Sequence, residues 1–283
     1  MDTTEKPAAV GPKARGPKRN PKVPRQEAPV LDLQRRTTTC EEVVGGLSEE
    51  QAVTEALRCV NCKDPECVEA CPLHIDIKSF IARMVERDFT GAFVKVKECT
   101  PLPGITGRVC QHELYCEKVC LIADKFKPVA IGSLERFAAD YERQLGARTE
   151  LEQAPPNGMA VALIGSGPAS MTAAHDLTRK GYRVTIFEAL HELGGVLVYG
   201  IPPFRLPRDI ISEEIGRLKT FGVEFETDYL VGRTVTIQEL FDRGYSAVFV
   251  GTGAGSPTLM GIPGENLLGV YTANEFLTRM LAG

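Results

Sequence analysis

Residues 159–188 read MAVALIGSGPASMTAAHDLTRKGYRVTIFE, and the order of patterns in them decides the fold. The apolar run at 159–164 reads as a buried strand, Gly165-Ser166-Gly167-Pro168-Ala169-Ser170 as a tight turn, and 171–180 as an amphipathic helix. Strand, glycine turn and helix in that order form a dinucleotide fingerprint. Gly165 permits the sharp turn, and Gly167 lets the backbone approach a pyrophosphate. The helix start, with Pro168 first and amide donors from Ala169 onward, brings those donors and the positive dipole end to it. Ser170 stands where a third glycine is usual, and its small side chain still allows close helix–strand packing. A second strand over 182–187 ends at Glu188, about twenty residues along, where a carboxylate accepts from ribose hydroxyls. An acid there disfavours a phosphorylated ribose, so the site is expected to hold the adenosine end of FAD or NAD rather than NADP.

The alternation continues downstream. Residues 191–207, HELGGVLVYGIPPFRLP, carry Gly194-Gly195 and Val196, where the chain can pass close to a bound cofactor. Arg205 in the same stretch reaches its phosphates or ring, or is a plain surface arginine. A helix over 208–221, a strand over 223–225, a capping box at Thr236 and Glu239 and a strand over 247–250 follow. Thr252-Gly253, at that strand's carboxyl end, is either part of a cofactor crevice or merely a tight turn.

Upstream, the cysteines dominate. Cys59, Cys62, Cys67 and Cys71 with Pro72 make C-x2-C-x4-C-x3-C-P, and Cys110, Cys116 and Cys120 follow. In ferredoxin-type loops the first three thiolates hold one cluster, and the fourth, turned away by proline, serves another. That logic assigns Cys59, Cys62, Cys67 and Cys120 to one 4Fe-4S cluster and Cys71, Cys110 and Cys116 to a second, which is one ligand short. Disulfides fit poorly, because no apolar signal segment precedes the cysteines and nine is an odd number. Zinc closes its structural sites with four ligands, which seven cysteines do not divide into. Free buried thiols would not cluster this way. Cys40 and Cys99 lie outside both runs and are unassigned. His74, His112, His175 and His191 show no metal or nucleophile spacing and read as core or surface residues.

The 283 residues suit two domains, 43% hydrophobic and 25% charged with a formal net charge of -4. No apolar run approaches a membrane span, and Thr37-Thr38-Thr39-Cys40 after Arg35-Arg36 is no export signal. A cytoplasmic location is expected. Residues 1–36 hold nine Lys or Arg, four Asp or Glu, six prolines and no aromatics, which predicts a flexible basic tail, solvated or docking. With the remainder acidic, nucleic acid is not an expected partner. Residues 37–152 read as a helical iron-sulfur domain, with a capping box at Ser48 and Gln51, a cap at Asp76, and a helix over 131–145. QAPPNG, 153–158, is the linker. The nucleotide domain occupies 159–283.

The stretches TGRVC (106–110), AIGSLERF (130–137), GSGPAS, GGVLVYGIPPFRLP and GTGAGSPTLMGIPGENLLGVYTANEFLTR together resemble one family. This is the group of flavin and iron-sulfur oxidoreductases related to the glutamate synthase small subunit. The last stretch is most similar to the large, FAD- and NADPH-binding subunit of NADH-dependent ferredoxin:NADP oxidoreductase, the sulfide dehydrogenase type. The resemblance implies a helical domain with two 4Fe-4S clusters followed by a Rossmann-like FAD domain. It places the missing fourth ligand at Glu135 and the flavin beside Val109. It implies an electron-transfer subunit working between NAD(P)H, FAD, the clusters and partner chains in a hetero-oligomer, with ferredoxin as one acceptor and bifurcation as one mode. A glutamate synthase small subunit and a non-catalytic conduit or scaffold are the alternatives. Gln111 stands where relatives commonly have proline, so the second cysteine loop is expected to bend differently. Relatives also insert an NADP domain with its own glycine fingerprint, absent here, so the flavin domain is expected to be incomplete, being either a fragment or completed by another chain.

Overall fold

The computed structural model describes residues 17–146 and 152–282. After a one-turn helix α1 (Leu33–Arg36), the helical half runs α2 (Glu49–Ala56), α3 (Glu66–Glu69), α4 (Ile77–Val85), α5 (Phe89–Lys97), α6 (Pro103–Val109) and α7 (Ile131–Leu145). Polar caps set the starts. Ser48 and Gln51 make the reciprocal capping box of α2, Asp76 accepts from Ser79 N at α4, and Asp88 accepts from Gly91 N at α5. Ile77, Phe80, Ile81 and Met84 of α4 then meet Phe93 and Val96 of α5 and Leu134, Phe137 and Ala138 of α7 in one core. Each such side chain contributes about 1.5–3 kcal/mol of burial, which fixes the helices between which the cysteine loops hang.

The second half holds β1 (Ala160–Ile164), α8 (Pro168–Arg179), β2 (Arg183–Phe187), α9 (Val196–Tyr199), α10 (Arg208–Thr220), β3 (Glu224–Glu226), α11 (Ile237–Asp242), β4 (Tyr245–Val250) and α12 (Ala273–Leu281). The four strands are parallel in the order β3-β2-β1-β4. Every residue of β1 is buried, as an unbroken AVALI run requires of a central parallel strand. Strand order reverses about β1, so the carboxyl ends of β1, β2 and β4 share one crevice. Element ends depart from the sequence expectation by a residue or two, where terminal hydrogen bonds fray. β4 lies at the sheet edge with Phe249 and Val250 exposed.

The two halves meet through α6. Its Leu102 and Ile105 belong to the core of the nucleotide half, with Val161, Leu163, Met171, Ile186, Ile210 and Ile211, and Val109 packs against that core. Its other face lies on α7, where a Cβ on Gly107 would stand 2.6 Å from Arg136 N, so only glycine permits the crossing. Residues before the 153–158 linker therefore contribute to the core of the nucleotide half. The linker itself is irregular and docked, with Ala154 N donating to Arg179 O and Asn157 N to Gly181 O.

The expected flexible tail is corrected over residues 17–36; the first 16 lie outside the described residues. Asn20 N donates to Leu57 O, Arg25 reaches Glu117 at 2.8 Å, and Gln26 N donates to Glu55 Oε2. The anchor is a buried ion pair, Arg58 and Glu55 at 2.6 Å, both less than 2% exposed. Arg58 also donates to the carbonyls of Val23, Lys127 and Pro128, and Glu55 accepts from Ala130 N. Composition forecast mobility because the arm has little apolar area; it is held instead by polar partners that the globule supplies. Among the described residues, no helix is long and apolar enough to cross a membrane.

Candidate functional site

Cys59, Cys62, Cys67 and Cys120 line one cavity, walled by Val60, Ile77, Ile81, Ile122, Val129 and Ile131. The segment between α2 and α4 supplies three of the thiols, Cys67 from within α3, and Cys120 arrives at the start of a 3-10 turn, Leu121–Asp124. Burial pushes the Cys59 thiol up, and burial with the neighbouring thiols Cys59, Cys120 and Cys62 pushes Cys67 up to about 12. Such thiols ionise at neutral pH only when a metal centre takes their protons' place. Arg19 Nη1 donates to Cys59 O at 2.8 Å, bringing a cation to this group.

A second group forms around α6 and α7. Cys71 and Cys116 are buried in the helical core. Burial first, then the charges of Glu135 and Cys71, push Cys110 up to about 11. Burial and the charges of Glu117, Glu135, Cys71 and Cys110 raise Cys116 as well. Glu135, 4% exposed, points in from the second turn of α7. Its Oε1 accepts from Thr106 Oγ1 at 2.5 Å, and its Oε2 lies 3.3 Å from His112 Nε2. Burial alone would lower the His112 pKa; the hydrogen bond to Glu135 and the charges of Glu135, Glu117 and Glu113 raise it instead. Cys59, Cys62, Cys67 and Cys120 thus line one cavity, and Cys71, Cys110, Cys116 and Glu135 are neighbours in a second group. Among the described residues, no three His, Cys, Asp or Glu side chains are placed to hold a single metal ion. Cys40 is exposed, and Cys99 lies outside both groups with its Sγ 3.5 Å from His74 O.

At the carboxyl ends of the strands, Gly165 has φ 91° and a Cβ there would stand 2.6 Å from Gly251 O and 3.2 Å from Thr252 Cα. The glycine turn and the exit of β4 therefore touch, which puts Thr252 in the crevice wall. Gly195, φ 54°, likewise abuts Gly167, whose Cα would be 2.9 Å from an added Cβ. Gly194 N donates to Ser166 Oγ at 2.9 Å, and Val196 follows, 56% exposed, at the start of α9. Glu188 sits beside the turn, its Oε2 accepting from Ser166 N at 2.8 Å and Oγ at 2.5 Å, and its Oε1 from Leu190 N at 2.9 Å. The acid and the turn are brought together, but the carboxylate is engaged by protein donors. Ser170 is fully buried against Gly251, with an Oγ that has no hydrogen-bond partner, so it serves the helix–strand contact. Arg205 is exposed and lines a cleft of about 600 Å³ between the halves, with His112, Glu113, Gly132 and Arg136.

Residues 36–147 match the family model of dihydropyrimidine dehydrogenase domain II, 4Fe-4S cluster, and residues 159–280 match that of pyridine nucleotide-disulphide oxidoreductase. The chain is 35% identical to the putative oxidoreductase AegA of Escherichia coli K12 over 89% of its own length and 38% of that protein. It is 34% identical to the glutamate synthase [NADPH] small chain of the same organism, over 92% of this chain and 55% of that one. For the NAD-dependent dihydropyrimidine dehydrogenase subunit PreT the identity is 38%, over 81% of this chain and 54% of the relative.

The chain belongs to the iron-sulfur flavin oxidoreductases of the glutamate synthase small chain type. It spans between about two-fifths and three-fifths of the length of these family relatives. In family terms, an iron-sulfur domain precedes a nucleotide-binding domain. The donor sets fit these groups. One cavity lined by four thiols suits a thiolate-held cluster, and a glycine turn with backbone close approach on two sides suits a dinucleotide.

Sequence reasoning missed three neighbours of the cysteine groups: His112, Thr106 and Arg19. For His112 a signal did exist. Gly132 stands one turn before Glu135 on a helix, a notch into which another side chain must fit.

Proposed function

We propose that this chain carries electrons between a nicotinamide nucleotide, FAD and two 4Fe-4S clusters as part of a larger NAD(P)H-dependent oxidoreductase. The observation that carries this reading is the end of α6. Val109 packs on the nucleotide core, and the next residue, Cys110, belongs to the second thiol group. One peptide unit thus spans the two chemistries. When bound, the flavin would convert two-electron into one-electron transfer and the clusters would pass electrons singly.

The chain's own residues hold these groups. Gly165, Ser166, Gly167, Pro168, Ala169, Gly194, Gly195 and Val196 bring backbone to a pyrophosphate, and Thr252 and Gly253 close the crevice from β4. Glu188, whose oxygens now accept from Ser166 and Leu190, would serve the ribose. Cys59, Cys62, Cys67 and Cys120 hold one cluster, and Cys71, Cys110, Cys116 and Glu135 hold the other. The buried side chains of Ile77, Ile81, Ile122, Val129 and Ile131 shelter the first group. Arg205 reaches a ring or phosphate from the interdomain cleft.

The partners proposed are other oxidoreductase subunits, with ferredoxin as one acceptor. Anaerobic purification with iron, sulfide and flavin counted per chain tests the cofactor set, and absence of either clusters or flavin would sink the reading. Stopped-flow on the complex with NADPH and NAD decides bifurcation: ferredoxin reduction supports it, and its absence excludes it. Copurification with a glutaminase-bearing chain would favour the glutamate synthase role, which the match to that small chain supports.

A further inference from the structure

We propose that His112 is a positioning residue, set against α7 by the missing side chain of Gly132, that holds the Glu135 carboxylate in place as a ligand of the second cluster. This rests on the reading of Glu135 as the fourth ligand and goes one contact further.

A glutamate on a helix face has three side-chain torsions to fix before one oxygen can meet a metal. Two groups touch this carboxylate. Thr106 Oγ1 lies 2.5 Å from Oε1, but it also lies 3.1 Å from Leu102 O. A hydroxyl has one proton, so Thr106 can satisfy only one of these acceptors at a time. His112 has no such conflict. Its Nε2 faces Glu135 Oε2 at 3.3 Å, and because a carboxylate can only accept, Nε2 carries the proton. The ring is fixed from behind, since a Cβ on Gly132 would stand 2.3 Å from Nδ1 and 2.5 Å from Cε1. With its side chain 12% exposed, the imidazole is sheltered where water competes weakly for the bond. His112 thereby ties Oε2 to protein, while Oε1, which meets only the divided Thr106 hydroxyl, is the oxygen that would turn to a metal; an outer contact of this kind orients ligands and tunes potentials.

A ring that merely fills the notch over Gly132 would be replaced by any ring of similar shape. His112→Phe keeps the shape and removes the donor, whereas His112→Gln keeps a donor. In the full chain, purified without oxygen, each variant is compared with Glu135→Gln by iron and sulfide content, the paramagnetic resonance of both reduced clusters and their midpoint potentials. The expected result is that His112→Phe shifts the g values and potential of one cluster, the one Glu135→Gln also shifts, while the other stays at the parent values and His112→Gln returns towards the parent. If Glu135→Gln alters a cluster and His112→Phe alters neither, this inference falls and the ligand reading stands. If Glu135→Gln alters neither, both fall. Should His112→Phe fail to load iron, Gly132→Ala displaces the ring while keeping the histidine; the same single-cluster shift supports the role, and a parent-like spectrum overturns it.

Discussion

The two thiol groups use similar ligands in opposite electrostatic settings. The first, Cys59, Cys62, Cys67 and Cys120, sits in a cavity with mainly apolar walls, lined also by Asp64, Glu66 and Lys78, with the Arg19 guanidinium on the backbone of Cys59. The second, Cys71, Cys110 and Cys116, shares its space with Glu135, Glu117 and Glu113, and it adjoins the nucleotide half through α6. An electron adds negative charge, which a nearby cation favours and carboxylates oppose. The hypothesis is therefore that the second cluster has the lower potential, so that transfer from the flavin side through it to the first runs downhill. Position in the fold and order of potential would then agree.

The largest effect that can break this comparison comes from removing ligands. Cys120→Ser should cost about half of the iron and leave the same surviving resonance as Cys59→Ser, while Cys71→Ser should match Cys110→Ser. If Cys120 and Cys71 exchanged phenotypes, the partition would be wrong. Next comes the anchor of the arm over the first group. Arg58→Ala leaves Glu55 as an unpaired buried charge and should destabilise the helical half by about 3–5 kcal/mol, read as a lower melting temperature and new proteolytic cleavage within residues 17–30. An unchanged melt would show that the arm is held by something else.

A subtler variant sharpens the contrast directly. Arg19→Ala should lower the potential of the first cluster alone, on the order of tens of millivolts for one charge at a partly screened distance. Equal shifts in both clusters, or none, would remove the electrostatic account. A pH-dependent effect away from both thiol groups concerns Glu214 of α10, beside Gly104 of α6, where burial, opposed by Arg217 and Lys97 and aided by Glu213, pushes its pKa up to about 7. Its folded value lies above the unfolded one, so folded protein binds the proton more tightly. The group's contribution to stability is full below about pH 4.5 and is lost as pH rises through about 7. Glu214→Gln should flatten that part of the stability profile between pH 5.5 and 7.5, by about 3 kcal/mol at most. Parallel profiles for parent and variant would rule it out.

Much of this was legible in the chain. Capping residues and apolar periods located α2, α4 and α7, and cysteine spacing proposed a partition of the thiols that the ligand variants above test. Local patterns encode such features. The arm was misread because its anchors, Arg58 and Glu55, bond to backbone carbonyls and amides, and backbone groups leave no trace in composition. Glu188 lies beside the glycine turn at the end of β2, and its present partners, Ser166 and Leu190, depend on how the turn folds back on that strand. His112 was assigned no role, since its partner Glu135 lies 23 residues away and only the crossing of α6 and α7 brings them together.

The outer side of β4 has a practical consequence. Among the described residues the strand pairs only with β1, so its far row of amides and carbonyls meets solvent beside Phe249 and Val250. A bare parallel edge with apolar flanks is a template for any extended peptide. Concentrated preparations of this polypeptide alone should self-associate, and a lysine introduced at Val250 should keep it dispersed on a sizing column without disturbing either thiol group.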